Sequence, residues 1–135
     1  MIKTILGYQI EPGVSQEEYE DWLFNVHVPD ILANPYVDEL VFNKVMRPVS
    51  ATSGGRAVNQ ELSLYRIAEM HFADEEAYQN YLQWFADHPV PAERSPAGRT
   101  AFKFYVVAST REVWRETAAS TRDAAATRNE ARQPR

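Results

Sequence analysis

The 135-residue chain has no cysteine. That excludes a disulfide framework, a thiolate nucleophile and a Cys-ligated zinc site. No apolar run approaches the roughly 20 residues needed to cross a bilayer. The opening Met1-Ile2-Lys3-Thr4 lacks the basic and apolar regions of a secretory leader. No membrane partner is expected, and a cytoplasmic location is. The phosphate-binding patterns GxGxxG and GxxxxGK[ST] are missing, as is the GxSxG nucleophile elbow. Of the three histidines, His27, His71 and His88, no pair has the spacing of a HExxH metal site. No metal and no cofactor is therefore expected, although flavin and haem sites leave no dependable single-sequence signature. The formal net charge of −5 argues against nucleic acid as a partner.

That charge is unevenly spread. Residues 111–135 hold six arginines and four acids, so they carry +2 and leave −7 on residues 1–110. Composition shifts at the same place, to Ala, Thr, Arg, Glu and Ser with one aromatic, Trp114. Residues 1–110 read as the folded domain. Residues 111–135 read as an appendage, either flexible or helical.

Residues 2–10 are rich in β-formers and stop at Glu11-Pro12-Gly13, a turn signal. Ser15 and Glu18 form a capping box. Tyr19, Trp22, Leu23 and Val26 follow at the i, i+3, i+4, i+7 positions of one helix face. Pro29 predicts that this helix ends or kinks at His27-Val28-Pro29-Asp30, and Asn34-Pro35 closes it. Residues 37–46 read as a second strand and residues 47–61, with Pro48, Gly54 and Gly55, as a long loop. Residues 62–72 read as a third strand. A second helix opens at Ala73 or Asp74, repeats an apolar face at Tyr78, Tyr81, Leu82 and Phe85, and ends at His88-Pro89. Residues 100–108 form a fourth strand. The order β-α-β-β-α-β predicts an α+β, ferredoxin-like fold: one antiparallel four-stranded sheet with both helices on one face. Strict alternation in the last strand sets Phe102, Phe104 and Val106 against Lys103, Tyr105 and Val107, so both faces are partly apolar. An uncovered sheet face is normally more polar. A second copy is the simplest cover, which predicts a homodimer closed into an α/β barrel.

His27 falls at the end of the first helix, where the helix dipole favours the charged imidazolium. It is either an acid–base group or a simple cap on the last carbonyls. Glu69 and His71 are two apart on a strand and share a face, where the carboxylate can orient the ring. They are either a catalytic pair or an exposed strand end. His88 reads as a helix cap. Tyr8, Asn43 and Tyr65 are the polar groups expected to reach a cavity between sheet and helices. Arg47 and Arg66 are available for a carboxylate or phenolate. Trp22, Phe42, Trp84 and Phe104 are its expected walls. The Gly-containing segment after Arg47 is either a lid or a plain surface excursion.

One combination of motifs points further. An opening strand leads to Pro12-Gly13-Val14-Ser15-Gln16-Glu17-Glu18-Tyr19, then Trp22 and Asn25-Val26-His27-Val28-Pro29. With the stretch Glu69-Met70-His71-Phe72-Ala73-Asp74-Glu75-Glu76-Ala77-Tyr78, the chain resembles the EthD-type, methylmuconolactone isomerase-like branch of the dimeric α/β-barrel superfamily over about residues 1–108. That superfamily includes methylmuconolactone isomerases, cofactor-free quinone-forming monooxygenases, polyketide cyclases, haem-degrading enzymes and accessory proteins of natural-product or degradation pathways. The resemblance implies a proton-transfer role for His27. A second-strand tyrosine implicated in the methylisomerase-like members falls near Leu40 here.

The expectation is a cofactor-independent enzyme acting by proton transfer, in a cyclisation or isomerisation, on a small aromatic or polyketide-like molecule. His27 would be the acid or base, with Tyr65, Glu69 and His71 as further catalytic candidates. Tyr8, Trp22, Phe42, Asn43, Arg66, Trp84 and Phe104 would bind the substrate. The alternatives are a cofactor-free monooxygenase of the same fold and a non-catalytic ligand-binding or accessory protein.

Overall fold

The computed structural model describes residues 1–48, 51–53, 56–58 and 63–116. Four long strands build one antiparallel sheet in the order β2-β5-β1-β6: β1 (Ile2–Ile10), β2 (Glu39–Lys44), β5 (Arg66–Phe72) and β6 (Thr100–Ser109). The helices α1 (Gln16–Trp22), α2 (Val28–Leu32) and α3 (Glu75–Asp87) complete the ferredoxin-like arrangement that the element order predicts. Residues 47–61 are not purely loop, because β3 (Ala51–Ser53) and β4 (Arg56–Val58) pair within them as a small hairpin. Most of the expected tail, residues 117–135, lies outside the described residues.

The helix starts follow from their caps. Ser15 Oγ accepts from the Glu18 backbone N–H at 3.1 Å, and an Asp74 carboxylate oxygen accepts from that of Ala77 at 2.8 Å. Pro29 does not end the helical path, and the irregularity expected beside it takes the form of a widened turn just before it. Leu23–His27 forms a single π turn, and the Val28 N–H donates to Leu23 O, five residues back. The proline then occupies the opening turn of α2, where a missing N–H does least harm. The widened turn absorbs the donor that Pro29 lacks, so the helical path runs on to Leu32.

Tyr8, Tyr19, Trp22, Leu23 and Ala68 form one buried cluster, and Val37, Met70, Phe72 and Tyr81 form another. Strand β5 shows why its residues divide: Arg66, Ala68, Met70 and Phe72 are buried towards the helices, while Ile67, Glu69 and His71 sit on the open face. Strand β6 breaks this period. Its register with β1 slips between Gly7 and Tyr8, because Gly7 pairs with Phe104 but Tyr8 pairs with Phe102. Lys103 is the extra residue of a β-bulge. Phe102, Tyr105 and Val107 therefore share the helix-side face, and Phe104, Val106 and Ala108 share the open one. This corrects the uninterrupted alternation expected from the sequence. The Phe104 ring lies across Gly7, where a side-chain carbon would overlap its Cε2 and Cζ atoms.

Gly7→Ala should therefore destabilise the fold by about 2 kcal/mol, through an overpacked contact that the ring must move to relieve. Gly7→Ala in a Phe104→Ala background should be much milder. Urea titrations of the two single variants and the double variant measure the coupling.

Candidate functional site

Between helices and sheet the two buried clusters leave a cavity of about 240 Å³. Leu6 and Tyr8 of β1, Leu40 and Phe42 of β2, and Ala68 and Met70 of β5 form its floor. Tyr19, Leu23, His27, Asp30 and Ile31 face it from the first helical path, and Tyr81 and Phe85 from α3. Phe102 and Tyr105, each about half exposed, mark the side where it meets solvent. The lining is overwhelmingly apolar, which suits a small hydrophobic ligand oriented by a few polar groups.

His27 stands on this lining because of the π turn, which widens the helix at the residues leading to it. Its ring stacks on Trp22 at 4.7 Å and 15°. Trp22 is fixed from behind: its Nε1 donates to Arg94 O at 3.1 Å, and the Arg99 guanidinium lies 5.3 Å from its ring centre. His27 Nδ1 is buried with no hydrogen-bond partner among protein atoms. Burial lowers the His27 pKa to about 4, a shift that the nearby Asp30 carboxylate only partly opposes. This overturns the expected dipole-raised imidazolium: the helix does not end at His27, and burial is the larger effect. Asp30 itself is held by Arg94, whose Nε and Nη2 donate to its two oxygens at 2.9 Å each. These bonds hold its carboxyl below its ordinary pKa. A neutral imidazole in this place is unprotonated throughout the physiological range, and so available as a base, though a weaker one than a free imidazole. Its conjugate acid is strong enough to give the proton back, which suits moving a proton within one molecule.

A hydroxyl cluster occupies another part of the lining. Tyr19 OH and Thr100 Oγ1 share a hydrogen bond at 2.8 Å. Tyr8 is 2% exposed, and its hydroxyl has no partner in hydrogen-bond geometry. Burial raises the pKa of both tyrosines, so both stay protonated and able to donate. Arg66 lies against Tyr8 and is 8% exposed. Its Nη2 forms an ion pair with Glu20 at 2.8 Å, and its guanidinium interacts with the Tyr8 oxygen, with Nη1 buried outside strict hydrogen-bond geometry.

The structure brings together only some of the residues expected at a site. His27, Tyr8 and Phe42 line the cavity, and Arg66 sits beside Tyr8. Tyr65 packs against the same cluster, but its hydroxyl donates to Glu20. Burial pushes its pKa up to about 12. Glu69 borders the cavity, yet its carboxylate is held on the open face by Lys3 at 3.0 Å, Asn43 at 3.1 Å and His71 at 3.1 Å. Asn43 and His71 belong to that open-face cluster, not to the cavity; His71 Nδ1 also lies 3.2 Å from Glu39. Trp22 backs His27 and is not a wall. Trp84 stacks on His88 at 4.2 Å over a shallow outer notch; helical phase gives the inner position to Phe85. Phe104 is on the open face because of the bulge. Sequence reasoning did not single out Asp30, Tyr19 or Thr100 as site residues. Asp30 is i+3 from His27, a signal that counts only if the helical path survives Pro29. Tyr19 and Thr100 meet across 81 positions, which no local pattern reports. Among the described residues, no group of three or more His, Asp or Glu could hold a metal ion, and no helix is long and apolar enough to cross a membrane.

No protein-family model and no curated protein matches this sequence. Solved structures do match its shape. HapK from Hahella chejuensis superposes with a TM-score of 0.56 at 11% identity, over 85% of this chain and 97% of that one. An ethyl tert-butyl ether (EthD) family protein from Bacillus halodurans gives 0.54 at 16% identity, over 82% and 99%. The fold is EthD-like. At3g17210 from Arabidopsis thaliana gives 0.52 at 17% identity, over 86% and 99%. At these identities the likeness concerns the fold alone. Leu40, near which the family resemblance places a tyrosine, is part of the cavity floor here.

A histidine whose folded pKa lies below its unfolded value stabilises the fold above pH 6.5 and loses that contribution as pH falls towards 4, because the unfolded chain binds the proton more readily. Urea stability should fall between pH 7 and 4.5, and His27→Gln should flatten that part of the slope.

Proposed function

We propose that the chain is a small, cofactor-independent enzyme that moves a proton on an apolar, aromatic or polyketide-like substrate, in a cyclisation or isomerisation. The observation that carries this reading is His27: a neutral, half-buried imidazole on the wall of an apolar cavity, with Nδ1 unpartnered and the ring held by Trp22. The substrate would lie along the Leu6, Phe42 and Met70 floor. A C–H or O–H acid beside His27 would lose its proton to the ring, and another position of the same molecule would receive it. The hydroxyls of Tyr8, Tyr19 and Thr100 lie on the same lining and are available to the developing oxygen charge. Tyr65, Asn43, Glu69 and His71 have no part in this reading, since their polar atoms are committed elsewhere.

The working unit in this reading is a homodimer. On the open sheet face Ile5, Val41, Ile67, Phe104 and Val106 surround Glu69, which stands between Val41 and Ile5 and is held by Lys3, Asn43 and His71. A second copy would cover these apolar residues together with the Glu69 group, whose charge is already paired.

His27→Ala should lower turnover on a processed substrate by roughly 10²-fold or more while leaving ligand binding within a few-fold. Turnover equal to that of the native chain would exclude His27 as the base. A substrate that binds tightly and is recovered unchanged from the native chain would favour the ligand-binding alternative, and stoichiometric oxygen uptake would favour the monooxygenase. Val106→Lys should shift the sedimenting species from dimer to monomer, because it puts an unpaired charge among the apolar residues of the open face.

A further inference from the structure

Two of the buried polar atoms without partners, Tyr8 OH and Arg66 Nη1, belong to neighbouring side chains on the helix side of the sheet. A buried donor without an acceptor is costly, and a cationic one more so. Folded chains retain such donors where something else supplies the acceptor. We propose that Tyr8 and Arg66 form an oxyanion subsite of the cavity, and that its ligand is an aromatic or enolic acid that binds with its oxygen ionised. This deepens the preceding reading and rests on it, since it requires that the cavity hold a ligand.

The surroundings decide in favour of an anion over a neutral polar group. Every protic group beside the subsite is a donor or already committed. Tyr8 and Tyr19 remain protonated because burial raises both pKa values, and Tyr19 is bonded to Thr100. The carboxylate that acts on Tyr8, Glu20 of α1, is occupied twice over, by Arg66 Nη2 and by the Tyr65 hydroxyl. Lys44, 5.8 Å from the Tyr65 ring centre, adds a further positive charge at that edge. Arg66 is also held in place. Its guanidinium carbon lies 5.2 Å from the Phe24 ring centre, 6.0 Å from that of Phe42 and 5.0 Å from that of Tyr65. A charge fixed in an aromatic box, paired with Glu20 and set against the Tyr8 hydroxyl, strengthens that hydroxyl as a donor to an oxygen anion in the cavity that Tyr8 lines. Phe42 belongs both to this box and to the cavity floor, so a flat ring on that floor would carry its oxygen towards Tyr8. A carbonyl converted to an enolate by His27 would present the same charge to the same donors.

The probe is 4-nitrophenol, whose ionised form has its own absorbance band, with 4-nitroanisole as the isostere that cannot ionise. Bound to the native chain, 4-nitrophenol should ionise at least about one pH unit lower than in solution, equivalent to a tenfold preference for the phenolate. It should also bind at least about tenfold tighter than 4-nitroanisole at neutral pH. Tyr8→Phe, which removes one oxygen from a well-packed ring, should abolish most of the shift and weaken 4-nitrophenol binding far more than 4-nitroanisole binding. Arg66→Gln should do the same, and Arg66→Lys should restore part of it. If 4-nitroanisole binds as well as 4-nitrophenol and the ionisation does not move, the oxyanion subsite is wrong and the ligand cavity stands. A shift that persists in both Tyr8→Phe and Arg66→Gln also overturns the subsite. If neither probe binds, the cavity reading falls, and the subsite with it.

Discussion

A helix has to pass a proline. Pro29 cannot donate a backbone hydrogen bond, and an ordinary α-helix through that point would lose a bond and meet a clash at the preceding turn. The chain resolves this with one wide turn, Leu23–His27, before the proline. The placement of His27 follows from that detour. The extra residue in the turn rotates what comes after it, so that His27, Asp30 and Ile31 all reach the same cavity. A helix that stopped at His27 would have left a solvated, dipole-stabilised cation at its end. The continued path leaves a half-buried neutral ring instead.

That ring is held by a stack of unlike parts. Trp22 has His27 on one side and the Arg99 guanidinium close by, and its one polar atom is tied to Arg94 O. Arg94 in turn grips Asp30 with two bonds. The segment joining α3 to β6 is thus coupled to the orientation of His27 and to the availability of the carboxylate nearest to it. Each contact is modest, since the Asp30–Arg94 pair is partly exposed and screened. Together they confine a side chain that makes no protein hydrogen bond through Nδ1.

Much of the fold was legible in the sequence because local signals agreed with one another. Ser15 and Asp74 cap helices, the Tyr19–Val26 and Tyr78–Phe85 patterns give them faces, and β-rich runs supply the strands. The element order then leaves one familiar topology. The site was legible only where a local signal coincided with a cavity position, as at His27, Tyr8 and Phe42. Glu69 and His71 are correctly paired on one strand face, but a strand has two faces and their spacing does not say which one meets the helices. Phe104 and Trp84 were lost to phase: one inserted residue in β6, and one step around α3. The Tyr19–Thr100 contact and the position of Arg66 beside Tyr8 are products of tertiary packing, which local periodicity does not encode.

The bulge at Lys103 makes β6 a strand with two jobs in different registers. On one side of it Thr100 and Phe102 face the interior; on the other Tyr105 and Val107 do, while Phe104 and Val106 face outwards. Pairing the strand straight through, with Lys103 drawn into the ladder, would turn one half over relative to the other, exchanging cavity-facing side chains for those of the open face. Deleting Lys103 would instead set Phe102 and Phe104 side by side on opposite faces, with both halves still in their present register against β1. The inserted residue is a spacer between two frames that β1 already fixes.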